Sequence, residues 1–327
     1  MILFWAGLLA VTILLYVLLD GFDLGVGILF SFGDEPDRRK MLAAISPVWD
    51  GNETWLVVTG AVLFGAFPAV YAALLSAFYL PLVLMLCALI LRGVAFEFRY
   101  KALTGFRWIW DFGFAGGSLV ATFIQGMTVG ALVEGLPMKD GQYIGGTFGW
   151  FSPFAALCGL GLVLGYSLLG AGWLVRKCDG PVRERAWQLL PVLTVGVLAF
   201  LATTFVLAIA MHLGLMSRWF ERPYLLIFPL IGAVSTIGLL KGVQRRNDLA
   251  PFRFATLIFA AAFGTLACSF WPYMIPFALT VEQAASPRES LTFMFWGAGL
   301  FVMPLTLAYT FLVYRLFRGR VVEVGYE

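Results

Sequence analysis

The chain carries nine apolar runs, at roughly 2–30, 53–74, 77–98, 113–133, 152–175, 187–212, 224–241, 254–275 and 292–314, each long enough to cross a bilayer. In lipid every backbone N–H and C=O must be satisfied inside the protein, so runs of this length are read as helices. The predicted fold is an all-α polytopic membrane protein: one transmembrane domain over 1–327. Charged residues agree, at 13% of 327, where a soluble domain carries about a quarter. The boundary between the second and third runs is the least marked, because Leu74-Leu75-Ser76-Ala77 carries no charge. Pro68 and Pro81 flank that stretch and favour two helices over one very long one. Met1 to Leu19 has neither a basic leading region nor a small-residue cleavage site, so it is read as the first span.

Basic residues set the expected orientation. Seventeen of the 22 Lys and Arg fall in alternate turns and the tail. They form the groups Arg38-Arg39-Lys40, Arg99 to Arg107, Arg176 to Arg185, Lys241 to Arg253 and Arg315 to Arg320. The opposite side has only Lys139, Arg218, Arg222 and Arg288. The N-terminus is therefore expected outside and the C-terminus in the cytoplasm, an alternation that requires nine spans. The net charge of +3 resides in short turns, which gives no reason to expect nucleic acid as a partner.

Carboxylates inside or beside these runs are costly and mark functional sites by default. Asp20 and Asp23 lie near the cytoplasmic end of the first helix, Asp50 and Glu53 open the second, and Arg92 and Glu97 close the third. The first two pairs are spaced i, i+3, on one helix face each. Pro47 suits the first position of the second helix. Topology thus gathers five acids and one arginine in a single cytoplasmic layer within residues 1–135. The spans of 150–327 contain no Asp, Glu, Lys or Arg apart from Lys241, the last residue of its run. Such a layer is what proton uptake from the cytoplasm needs, provided some acids exchange protons while others only pair with Arg92. Competing readings stand beside this one. Asp50 and Glu53 can complement the helix dipole, and Gln125 is better read as an interhelical hydrogen bond than as a path. Gly21 and Gly25 form a GxxxG, a close-packing surface for another helix.

His212 is the single histidine, and the four cysteines stand far apart. Haem and copper centres in membranes mostly require histidines, so redox metals associated with this chain are expected in another subunit.

Leu19-Asp20-Gly21-Phe22-Asp23-Leu24-Gly25-Val26-Gly27 and Pro47-Val48-Trp49-Asp50-Gly51-Asn52-Glu53-Thr54-Trp55 resemble subunit II of the cytochrome bd ubiquinol oxidases. Phe64 to Pro68, Arg92 to Arg99 and Ile124-Gln125-Gly126-Met127 extend the match, and the short loops look closer to the cyanide-insensitive branch. The resemblance implies two four-helix bundles plus one peripheral helix in a bacterial inner membrane. It also implies a similarly folded subunit I that carries haems b and d and the quinol site. Subunit II of that family stabilises the haem subunit and contributes to a cytoplasmic proton path. By resemblance Asp50 belongs to that path, with Trp55 beside it; Glu53 and Asp20 complete the expected set. Asp23, Arg92 and Glu97 match embedded charged positions and are expected to pair. Val48 stands where some relatives have a histidine, so any role of that histidine is absent here. A structural quinone and small single-helix partners are left open. The expected function is a haem-free subunit of a quinol:oxygen oxidoreductase, not catalytic alone. The rivals are a proton-coupled transporter and a purely structural assembly subunit.

Overall fold

A computed structural model describes residues 1–321. Thirteen α-helices follow one another: α1 Ile2–Leu29, α2 Glu35–Ile45, α3 Trp49–Ala66, α4 Pro68–Lys101, α5 Arg107–Glu134, α6 Pro153–Lys177 and α7 Gly180–Ala210. The remainder are α8 Gly214–Glu221, α9 Ile227–Gln244, α10 Ala250–Phe270, α11 Val281–Ala284, α12 Arg288–Met294 and α13 Val302–Leu316. A π-helical turn, Phe295–Gly299, lies between the last two. Eight segments among the described residues are long and apolar enough to cross a membrane: α1, α4, α5, α6, α7, α9, α10 and the α12–α13 stretch. Outward faces such as Val57, Ile90, Phe112, Val192 and Leu305 are exposed and apolar, as surfaces bathed in hydrocarbon should be.

The second and third apolar runs divide elsewhere than the hydropathy suggests. Residues 74–77 are helical, and the break falls at Phe67 (φ −136°, ψ 59°), with Pro68 in the first turn of α4. The last carbonyls of α3 are satisfied from a distance: Ser286 donates its Oγ–H to Gly65 O (2.8 Å) and its N–H to Ala66 O (2.9 Å). Pro81 does not end α4 but kinks it, and the distortion appears at Phe78 (φ −115°, ψ 19°). A proline ring collides with the carbonyl four residues earlier and removes one helix hydrogen bond, so the bend falls just before it. Pro47 precedes α3 and is not in its first turn.

α1 lies against α3, α5 and α6, and α6 in turn packs on α5, α7 and α10. The GxxxG expectation is met at the α1–α6 crossing. A Cβ on Gly25 would meet Tyr166 C at 2.6 Å and Gly170 N at 3.1 Å, and one on Gly170 would meet Gly25 C at 2.5 Å. Backbone touches backbone there, which only glycine allows. Phe22 stacks on Trp173 (4.2 Å between centroids) just beside this crossing.

Charge collects at one end of the molecule. Arg38 pairs with Asp111 at 2.7 Å, and Arg99 joins both Asp111 and Glu35, the latter at 2.6 Å. Arg183 and Arg320 meet at Asp248, both at 2.5 Å, and Arg185 holds Asp34 and Asp37 at 3.0 and 2.8 Å. These bonds tie together the turns after α1, α4, α6 and α9 and the tail after α13. They are the same groups of basic residues that the sequence distinguishes. The other end is closed by two short antiparallel hairpins, Met138–Lys139 with Gln142–Tyr143 and Tyr273–Ile275 with Leu279–Thr280.

Candidate functional site

The helical pitch decides which acids turn inward. On α1, Tyr16, Asp20 and Asp23 share one inward face, and both aspartates are fully buried. On α4, Arg92 and Arg99 are seven residues apart, two turns, and both are buried. On α3, Asn52 and Trp55 are three apart and buried.

Arg92 is the hub. Its Nη1 lies 3.4 Å from Asp20 Oδ1 and 3.8 Å from Glu53 Oε2, and its guanidinium sits 6.0 Å from the Trp49 ring centroid. Asp23 takes a different partner: Asn52 Nδ2 donates to Asp23 Oδ2 (2.7 Å) and also lies 3.1 Å from Leu19 O. Tyr314 donates its hydroxyl to Asn52 Oδ1 (2.9 Å). Deeper in the bundle, Gln125 Nε2 donates to the Tyr16 hydroxyl (2.7 Å), and the Tyr166 hydroxyl donates to Gln125 Oε1 (3.2 Å). Gln125 therefore is the interhelical bond that the sequence favours, joining α1, α5 and α6. Asp20 Oδ2, Asp23 Oδ1, Arg92 Nε and Nη2, and Trp55 Nε1 are buried without a partner among the described residues.

The structure brings Asp20, Asp23, Glu53, Arg92 and Trp55 together and leaves two expected members outside. Glu97 is exposed. Five residues from Arg92, it points to another side of α4, and Arg99 occupies the inward position instead. The expected buried pairing of Glu97 is therefore corrected. Asp50 is exposed on the outer face of α3, three residues before half-buried Glu53 and so on the same side of the helix. The expected pairing of Asp23 with Arg92 is replaced by the amide of Asn52. Sequence reasoning missed Asn52, Tyr16, Tyr166 and Tyr314, which are uncharged, and counted Arg99 only as a turn residue. Tyr314 lies 262 positions from its partner, beyond any local pattern. Among the described residues no three His, Cys, Asp or Glu gather as a metal would require, and His212 is exposed at the end of α7.

Comparison with known proteins assigns this chain to a family. Residues 1–317 match the family described as cytochrome bd terminal oxidase subunit II. Cytochrome bd-I ubiquinol oxidase subunit 2 of Escherichia coli K12 is 30% identical, with 99% of this chain and 96% of that one covered. The probable cytochrome oxidase subunit 2 of Haemophilus influenzae is 33% identical over 97% of this chain and 94% of its own. The solved bd oxidase of Geobacillus thermodenitrificans superposes with a TM-score of 0.79 at 17% identity, covering 97% of this chain and 98% of that one. The chain belongs to the cytochrome bd terminal oxidase subunit II family and is a multi-pass membrane subunit of a quinol oxidase.

Proposed function

We propose that the chain is the haem-free partner of a haem-bearing subunit I, and that it conducts protons from the cytoplasm toward the oxygen-reducing site. The observation that carries this is the buried Asp20–Arg92–Glu53 group beside the charged end, two acids on one guanidinium with Asp23 close behind. Asp50 is the outermost member, accessible on α3; Glu53 follows one turn further in, and Asp20 lies behind Arg92. Trp55 walls the path with its ring buried. An exposed carboxylate on an otherwise apolar outer face is unfavourable against lipid, which argues that the α3 face of Asp50 is covered by subunit I.

In this reading α3 is a ninth crossing helix. It falls short on hydropathy because of Asp50, Asn52 and Glu53, yet it runs beside α1 from the charged end to the turn held by Ser286. The charged end faces the cytoplasm, so the N-terminus is outside and the C-terminus inside. α1, α3, α4 and α5 form one bundle, α6, α7, α9 and α10 the second, and α12–α13 the peripheral helix. The first half, 1–135, holds the acids, and the second, 150–327, is the scaffold. Haems b and d are expected in subunit I, which this chain stabilises; one exposed histidine here offers no ligand pair.

Asp50→Asn in the intact oxidase tests the reading. Haem content is expected to stay unchanged while oxygen consumption slows by roughly tenfold or more. Unchanged turnover with intact haem would assign the acids to structure alone, and lost haem would assign Asp50 to assembly.

A further inference from the structure

The turn after α1 and the start of α5 enclose a groove of about 370 Å³ at the charged end. Its floor is a stripe of α5, Phe112, Ala115, Gly116 and Leu119, continued by Ile28 of α1. From Trp108 to Leu119 this stripe runs about 16 Å along the helix. Trp108 and Phe112 are 67% and 73% exposed, amphipathic and apolar rings at the level where aromatic belts meet headgroups. At its mouth stands Arg38, whose Nη1 is bound to Asp111 while 28% of its side chain stays exposed. Arg107 nearby, with Nη1 on Glu35, is 26% exposed. Among the described residues, Arg38, Arg39, Arg99 and Arg107 share only two carboxylates, Glu35 and Asp111. Two positive charges are left over beside an apolar track.

We infer that this groove binds an anionic glycerophospholipid, its phosphate at Arg38 and one acyl chain along the α5 stripe. The site follows from the joining of two features: a free phosphate would use the arginines and ignore the stripe, and an uncharged lipid or quinone would do the reverse. The exposed edge of an arginine guanidinium suits a phosphate oxygen. The site needs no proton path and stands apart from the Asp20–Arg92 group.

The test uses the intact two-subunit oxidase in nanodiscs of phosphatidylcholine containing a minority of phosphatidylglycerol, with retained lipid counted by native mass spectrometry. Phosphatidylglycerol should be retained over phosphatidylcholine by roughly fivefold for each basic residue engaged. Arg38→Gln and Gly116→Leu should each abolish that preference, the first at the phosphate and the second by filling the track. Space for the leucine exists, since a Cβ on Gly116 meets only the Phe112 ring at 3.8 Å or beyond. Should Arg38→Gln fail to assemble, Gly116→Leu with full haem content decides alone. Equal retention of both lipids, an undiminished preference in Gly116→Leu, or displacement by inorganic phosphate or by quinone would each overturn the inference.

Discussion

Replacing Arg92 by leucine should damage the oxidase more than replacing Asp20 by asparagine, and the geometry fixes the order. Asp20 is fully buried, with one oxygen on Arg92 and the other already unpartnered. Removing the guanidinium strips it of its one cation within pairing distance among the described residues. Breaking a buried pair in that way costs about 3–5 kcal/mol. Asp20→Asn is milder because Arg92 keeps Glu53 at 3.8 Å, and Glu53 retains 29% exposure. The remaining loss is that of one hydrogen-bonded partner, about 1–3 kcal/mol. The double variant removes both ends of the strongest pairing, so it should recover about 1–3 kcal/mol relative to the sum of the singles. The assay is heat treatment of the solubilised oxidase at a series of temperatures, scoring the fraction that retains haem and elutes as one species. Midpoints of Arg92→Leu and of the double variant should fall together, both well below that of Asp20→Asn. If Asp20→Asn is as damaging as Arg92→Leu, or if the double variant loses the full sum, Arg92 is not the cation that keeps Asp20 in the bundle.

Two further outcomes follow from the packing and from the charged end. Gly25→Ala should separate α1 from α6, because the added carbon would overlap the Tyr166 carbonyl oxygen as well as lie 2.6 Å from Tyr166 C, and the helices must part by more than about 1 Å to reach ordinary contact. Overpacking of this kind costs about 1–3 kcal/mol, whereas Gly60→Ala, with nothing within 4 Å, should be neutral or stabilising; the yield of assembled oxidase distinguishes them. At Glu35, partial burial raises the carboxyl, but Arg99, Arg39 and Arg107 outweigh it and hold the group below its ordinary value of 4.5. A depressed carboxyl contributes above its unfolded value and loses that contribution as pH falls through the folded one. Protease nicking of the turn around α2 should therefore stay constant near neutrality and rise only under acid below pH 4.5; Glu35→Gln should remove that acid sensitivity and raise nicking at neutral pH.

Much of this was legible in the sequence because a bilayer allows few alternatives. Apolar length announced the helices, the basic turns announced which ends meet, and Gly21 and Gly25 announced a close crossing. The α3–α4 boundary was not legible from hydropathy, since Phe67 is as apolar as its neighbours; Pro68 forces Phe67 out of the helical region, and the carbonyls this frees are met by Ser286, far along the chain. The cluster was legible as a layer and not as a set of pairs. Knowing that Asp20, Asp23, Glu53, Arg92 and Glu97 share a depth leaves their rotation about each helix axis open. Rotation is what sends Glu97 outward and brings in Arg99. Asn52, Tyr16 and Tyr314 carry no charge, so nothing in a search for buried charge points to them.

Stoichiometry separates the two readings of the buried group. A structural salt bridge needs one cation per acid, and replacing such a pair by apolar residues is often neutral. Here three acids, Asp20, Asp23 and Glu53, surround one guanidinium, and only two of them lie within pairing distance of it. Asp23 is served by a neutral amide, which in turn is held by Tyr314. Two of the three acids are fully buried, where an excess of carboxylates over cations adds cost without adding pairing. The glycine crossing of α1 and α6 holds that excess in place, since it locks the helix bearing two of the acids against its neighbour by backbone contact. A chain that needed only to hold its helices together would have no use for the third carboxylate; the proposed inward passage of protons would.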